Sequence, residues 1–293
     1  MGTINTSLLK GKVTLITGAG QGIGKALALG FAQRGSDIIL TARNREKLAD
    51  VCILIEEKGV RALVVPADIQ KYDEITNVIT KGITEFGHID ILINNAGFSR
   101  VKPIIKMRVE QFQDILTTNV IGTYNVTHAI IPHMLERGGG RIINTGSAVI
   151  EQPGAGWSAY HMSKSALVGF TESLAVELKP KKITVNTIHP GPTDTPLFRM
   201  GMTEEMIESI GPMDPAELVP YYAFTASDMG KKVTGVNIMV DLCKTVLGMR
   251  GEVPPNESPS WAAVKDIAEQ KLSKLDFKKV KKARKLIDYL FTL

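Results

Sequence analysis

The sequence predicts an α/β fold: a doubly wound parallel sheet of about seven strands, followed by a C-terminal helical extension. Three observations carry this. Seven short apolar runs rich in β-branched residues recur along the chain, and helix-patterned stretches fill the intervals between them. Strands that alternate with helices bury both sheet faces and pair in parallel. A glycine-rich turn separates the first run from the first helical stretch, and a basic, helix-favouring segment closes the chain.

In order, the expected strands are Lys12–Thr17, Asp37–Ala42, Arg61–Pro66, Ile89–Asn94, Arg141–Gly146, Ile183–His189 and Val236–Asp241. The amphipathic stretches between them include Gly22–Arg34, Arg45–Lys58, Asp73–Phe86, Val109–Glu136 and Ala159–Leu178. Right-handed crossovers then place a ligand crevice at the C-terminal ends of the strands. Gly251, Pro254, Pro255, Asn256, Ser258 and Pro259 mark a linker. The expected organisation is a dinucleotide-binding and catalytic Rossmann-type domain (1–248), a linker (249–259) and a basic helical extension (260–293). In that extension Val264, Ala268, Leu272 and Leu275 form one apolar stripe, with Ile287, Leu290 and Phe291 as a later apolar end.

Composition narrows the function. Apolar residues make up 44% of 293, ordinary for a globular protein, and no apolar run reaches the roughly 18 residues of a membrane span. No charged stretch leads into an apolar one at the N-terminus, and Cys52 and Cys243 are too few for a disulfide framework; both suit the cytoplasm. The segment from Trp261 to Leu293 holds nine Lys or Arg against four acids, so it carries the whole net charge of +5. The remaining body is balanced at 26 bases and 26 acids, which argues against a nucleic-acid-binding core. Packing of the extension on the body or on a sister subunit is the leading expectation; an anionic membrane or an acidic partner such as an acyl carrier protein is the less favoured one. Met1-Gly2-Thr3-Ile4-Asn5-Thr6 fits a myristoylation pattern, a weak signal.

The chemistry sits in a few positions. Thr17-Gly18-Ala19-Gly20-Gln21-Gly22-Ile23-Gly24 joins strand to helix with Gly-x-x-x-Gly-x-Gly spacing, not G-x-G-x-x-G. Glycines there let backbone N–H groups approach a pyrophosphate, and the helix N-terminus adds partial positive charge. After the second strand the chain reads Thr41-Ala42-Arg43-Asn44-Arg45, with no carboxylate for ribose hydroxyls. Arg43 suits a 2′-phosphate, so NADP(H) is favoured over NAD(H). Tyr160 and Lys164 are four apart and share a helix face. An ammonium near a phenol, with the charge of an oxidised nicotinamide, lowers a pKa that is ordinarily near 10. His161 lies beside Tyr160 but on another face, and is read as support. His128, His133 and His189 lack zinc-ligand spacing, so no metal is expected.

With Asp68, Asn94-Asn95-Ala96-Gly97, Asn119, Ser147, Tyr160-His161-Met162-Ser163-Lys164 and Pro190-Gly191, the chain resembles the short-chain dehydrogenase/reductase family from about Leu9 to Asp241. The subgroup it resembles contains the 3-oxoacyl-carrier-protein reductases. The resemblance implies cofactor contacts from Gly18, Gln21, Gly22, Ile23 and Gly24, and from Asp68 and Ile69 at the adenine. It implies Asn95, Ala96 and Gly97 beside the ribose, and Pro190, Gly191, Thr193 and Thr195, with Ile188, near the nicotinamide. Catalytic roles fall to Asn119 (holding a water), Ser147 (binding the carbonyl oxygen), Tyr160 (general acid/base) and Lys164 (also binding ribose). Two departures stand out: Asp241-Leu242-Cys243 replaces the family's Asp-Gly-Gly, and the chain continues past Gly248.

The expected activity is hydride transfer between NADP(H) and a ketone or secondary alcohol, including an acyl thioester, by a homo-oligomer (dimer or tetramer). Methionines after Thr195 (Met200, Met202, Met206, Met213) suit a lid over an apolar substrate. The competing expectation is a nucleotide-binding sensor or scaffold acting through the basic extension.

Overall fold

The computed structural model describes residues 6–253 and 260–293. The possible myristoylation site and part of the expected linker lie outside the described residues.

Seven parallel strands form one sheet: β1 (Val13–Thr17), β2 (Asp37–Thr41), β3 (Ala62–Val64), β4 (Ile91–Asn94), β5 (Gly140–Thr145), β6 (Ile183–His189) and β7 (Asn237–Met239). Their order is β3-β2-β1-β4-β5-β6-β7, so the winding reverses between β1 and β4. Such a reversal is where a doubly wound sheet takes a ligand, at the C-terminal ends of its strands. Alternate residues feed opposite layers: Ile38, Leu40, Ile91 and Ile93 enter one hydrophobic cluster, while Ile39 and Leu92 enter the other. That period of two on strands covered on both faces explains why they are apolar throughout.

The helices of the body are α1 (Gly22–Ala32), α2 (Arg45–Glu56), α3 (Tyr72–Phe86), α4 (Val109–Leu116), α5 (Thr123–Glu136), α6 (Ser158–Leu178), α7 (Pro196–Arg199), α8 (Glu204–Ile210), α9 (Val219–Ala226) and α10 (Val240–Gly248). The expected single helix over Val109–Glu136 is interrupted by a π-helical turn, Thr117–Gly122. β7 stops two residues short of expectation because α10 begins at Val240; without glycines at Leu242 and Cys243 the chain turns directly into a helix. Cys243 is buried there, and burial pushes its thiol up to about 12.

Beyond the 3-10 turn Met249–Glu252, the extension folds as α11 (Trp261–Lys271), α12 (Lys274–Lys282) and α13 (Arg284–Phe291). Val264, Ala268, Val280, Leu286 and Ile287 are at most 1% exposed and join the same cluster as Phe31, Val219 and Phe224. The Tyr289 ring lies 5.4 Å from Phe224, and Asp288 accepts the Trp261 N–H at 2.7 Å. The extension therefore packs on its own body. Leu275 is the exception to the expected stripe, 63% exposed. Ser273 caps a new helix just before it, which breaks the periodicity inherited from α11.

Candidate active site

The turn after β1 is built for close approach. Gly18 (φ +65°) and Gly22 (φ +53°) adopt backbone that favours glycine. A Cβ on Gly18 would lie 2.9 Å from Ala96 Cα, and one on Gly24 would collide with the Gly18 carbonyl. Thr17 Oγ1 accepts from the N–H groups of Asn95 and Ala96 at 2.9 and 3.0 Å, and Asn95 Nδ2 donates to the Thr17 carbonyl at 3.0 Å. Thr17 thus locks the end of β4 onto the glycine turn.

Helix α1 opens at this turn with no side chain capping it and no acidic residue in its first turn. Its free N–H groups and dipole present an anion site. By contrast α2 is capped by Asn44, which accepts from Lys47 N at 2.9 Å. Lys47 Nζ donates to Gln21 Oε1 at 2.6 Å. At the end of β2, Arg43 is exposed and forms no ion pair among the described residues. Gly22 also approaches Thr195, whose Cγ2 would be 3.1 Å from a Cβ there. Thr195 caps α7 by accepting from Phe198 N at 3.1 Å, and Thr193 donates to the Gly191 carbonyl at 2.9 Å. Asp68 accepts from Gln70 N at 3.0 Å, and buried Ile69 packs against Gly122. An uncapped helix start, positive-φ glycines and a crevice that side chains would fill fit a dinucleotide. Ile188 is fully buried in the core.

Ser147, Tyr160 and Lys164 converge at the ends of β5 and α6. Ser147 favours the anionic form of the Tyr160 phenol, and Lys164 Nζ lies 5.6 Å from the centre of the Tyr160 ring. Lys164 Nζ also donates to the Thr145 carbonyl at 2.7 Å, and Thr145 Oγ1 accepts from Tyr222 OH at 2.9 Å. Burial pushes the Tyr160 phenol up to about 12, against a smaller lowering by Ser147, and pushes Lys164 down to about 8. The expected lowering of the phenol is therefore not supplied by the protein's own groups. Desolvating the phenolate outweighs the influence of Ser147, and the same burial weakens the neighbouring ammonium.

Asn119 lies in the π-helical turn, a distortion that recurs at functional sites. Its side-chain oxygen accepts from Phe98 N at 3.0 Å; its Nδ2 donates to the Phe98 carbonyl at 2.9 Å and to Ser163 Oγ at 3.0 Å. Ser163 in turn donates to the Tyr160 carbonyl at 2.7 Å. A water at Asn119 would use the backbone carbonyl, which accepts Thr123 Oγ1 at 2.9 Å and keeps a second lone pair.

Sequence reasoning missed Thr17, Thr145, Ser163 and His189. Fully buried His189 lies 3.2 Å from both Ser147 N and Asn237 Oδ1, and burial lowers its pKa. Asn237 Nδ2 donates to Glu172 at 2.9 Å, so its oxygen faces the ring; Nε2 then carries the proton and Nδ1 accepts from Ser147. A groove of about 440 Å³ lies beside the site, lined by Ile104, Pro153, Gly154, Gly156, Trp157, Ser158, His161 and Met162. The Trp157 and Tyr160 rings are 5.6 Å apart. The segment expected to form a lid carries exposed Met200 and Met206, with Arg199 bridging Asp194 (2.5 Å) and Glu204 (3.1 Å).

Residues 12–205 match the short chain dehydrogenase family. The chain is 35% identical over 246 residues to the 3-oxoacyl-acyl-carrier-protein reductase FabG of Thermotoga maritima, covering 80% of this chain and 97% of that protein. It is similar to the crystal structure of 3-ketoacyl-acyl-carrier-protein reductase from Brucella melitensis complexed with NADH (34% identity, TM-score 0.74, 79% and 97% covered). It is equally similar to a short chain dehydrogenase from Burkholderia cenocepacia in complex with NADP (32% identity, TM-score 0.74, 79% and 97% covered). With strand order, glycine turn and family match in agreement, this chain belongs to the short-chain dehydrogenase/reductase family of NAD(P)-dependent oxidoreductases, in its 3-oxoacyl-acyl-carrier-protein reductase-like subgroup.

Proposed function

We propose that the protein reduces a ketone to a secondary alcohol with NADPH, and runs the reverse reaction with NADP⁺, Tyr160 being the general acid/base. The observation that carries this reading is Lys164 Nζ held on the Thr145 carbonyl against the Tyr160 ring, with Ser147 favouring the phenolate, in a chain that also builds a glycine cradle. A phenol held near 12 is protonated at neutral pH, the state that carbonyl reduction needs. The bound dinucleotide supplies or accepts the hydride. Tyr160 gives its proton to the carbonyl oxygen, while Ser147 donates a hydrogen bond to that oxygen as negative charge grows. Lys164, anchored on Thr145, faces the phenolate that remains and would bind the ribose. Asn119 holds Tyr160 in place through Ser163 and offers its carbonyl to a proton-carrying water.

Arg43, with no carboxylate from Thr41 to Arg45 to pair it, supports NADP(H). The Trp157–Met162 groove supports an apolar ketone or acyl thioester. The Tyr124 and Phe170 rings, 6.4 Å apart on the outer side of α5 and α6, support association with a second copy. The reading treats 1–248 as the catalytic body, with 260–293 an extension packed on it.

The test is NADPH oxidation against acetoacetyl thioesters, cyclic ketones and steroid ketones, with Tyr160→Phe as the decisive variant. Loss of about 10²-fold or more in kcat is expected. Tyr160→Phe turning over an accepted ketone at near-parental rate would refute the role.

A further inference from the structure

We propose that Lys279 of the C-terminal extension is a positioning residue for the substrate side of the site, acting through Glu151. This rests on the reading of the groove as the ketone's binding place. Lys279 Nζ lies 2.5 Å from Glu151 Oε1, across 128 residues of sequence, and 3.4 Å from Asp276 Oδ1. Glu151 ends the short turn that Ser147 begins, and two residues later Pro153 opens the groove wall that runs to Trp157. One end of this segment carries Ser147, which bears on the Tyr160 phenol, and the other lies against the Tyr160 ring through Trp157.

Between those ends few contacts from elsewhere in the chain hold the segment. Residues 152–155 are exposed, and Gly156, at φ +82°, accepts the Lys102 N–H at 2.9 Å. Among the described residues, the link to Lys279 is the only side-chain hydrogen bond or ion pair made by residues 151–156. The other end of the link is rigid. Val280, next to Lys279, is 1% exposed in the core, and α13 behind it is anchored on α9. Both partners are only partly exposed (25% and 34%), so the pair is less screened than a surface pair. The geometry is that of a strut: a helix anchored in the core by Val280 holds one point on a wall otherwise tied across the chain at Gly156. Removing the strut frees the wall and weakens ketone binding, while the dinucleotide cradle, on the far side of Tyr160, is untouched.

The experiment uses the full chain with NADPH and the ketone most readily reduced in the panel above. Lys279→Met is expected to raise the ketone KM roughly three- to tenfold, leaving the KM for NADPH within about twofold. Lys279→Arg should keep the parental KM, and Lys279→Glu combined with Glu151→Lys should recover part of the loss. Lys278→Met, an exposed neighbour of the same charge, should change nothing. Hydrogen exchange of residues 148–157 should speed up in Lys279→Met and not in Lys278→Met. Unchanged ketone KM together with unchanged exchange in Lys279→Met overturns the proposal, as does a loss that appears equally in Lys278→Met. If the parent protein reduces no ketone, the functional reading fails on its own, and the exchange measurement still decides whether Lys279 holds the wall.

Discussion

Asn119 Nδ2 donates to Ser163 Oγ at 3.0 Å, and this bond joins the π-helical turn to the helix that carries Tyr160. Asn119→Ala leaves the Phe98 N–H and carbonyl without their partner, and Ser163→Ala leaves the amide one acceptor short. A buried polar group left unpaired costs about 1–3 kcal/mol. Asn119→Ala should therefore lose more stability in urea than Ser163→Ala, and both should lower kcat. Equal stability of the two variants would show that the Phe98 clamp matters little.

Lys164 yields a prediction of opposite sign for stability and activity. Its folded pKa of about 8 lies below its ordinary 10.5, so between those values the unfolded chain binds more protons and stability rises with pH. Below about pH 8 the full penalty of a buried ammonium is present. Lys164→Met should remove it, raising the free energy of unfolding at pH 7 by up to about 2 kcal/mol after loss of the Thr145 bond, while abolishing turnover. Tyr160 works the other way: with a folded pKa near 12, its contribution to stability falls away as pH climbs from about 10 to 12. Chemical denaturation of the parent, Lys164→Met and Tyr160→Phe from pH 6 to 11 checks both slopes, and identical parent and Lys164→Met slopes between about pH 8 and 9, below the titration of the buried Cys243 thiol and Tyr160, would contradict the burial of Lys164.

Arg43→Ala should weaken NADPH binding about 10- to 100-fold, the loss of a charge-assisted pair to phosphate, and leave NADH within about threefold. Fluorescence titration of both reduced dinucleotides measures this. Parallel losses would mean that the guanidinium contacts something common to the two.

Gly24→Ala tests the cradle by volume alone, since Gly24 is not among the positive-φ residues. The added methyl meets the Gly18 carbonyl and Asn95 Nδ2 (2.7 Å). Overpacking of this kind costs about 1–3 kcal/mol. Dinucleotide affinity should fall more steeply than thermal stability, because the glycine turn must shift to accept the methyl. Gly87→Ala, where a Cβ meets nothing within 4 Å but φ is +80°, gives the complementary control: strain without collision, and unaltered binding.

All seven strands were legible because each is a short apolar run set between turn signals, and Tyr160 and Lys164 were legible because helical spacing puts them on one face. The π-helical turn was not, since Leu116–Gly122 reads as an ordinary continuation of α4; its bulge is settled by what Asn119 bonds across the chain. Leu275 misled because periodicity assumes one unbroken helix, and Ser273 ends that phase locally. The direction of the Tyr160 shift could not be read either: spacing reports the neighbouring ammonium but not the depth at which both groups are buried. His189 and Lys279 act on Ser147 and Glu151 across 42 and 128 residues, distances over which no local pattern carries information.

The side chains of Leu286, Ile287 and Tyr289 complete a layer begun by Leu27 and Phe31, near the opposite terminus. A chain made from its N-terminus onward therefore leaves Phe224 without its Tyr289 partner until α13 has followed the body. The layer over this side of the sheet is thus completed only by helices that follow the body, and a variant cut before α11 would lay bare an apolar, adhesive surface.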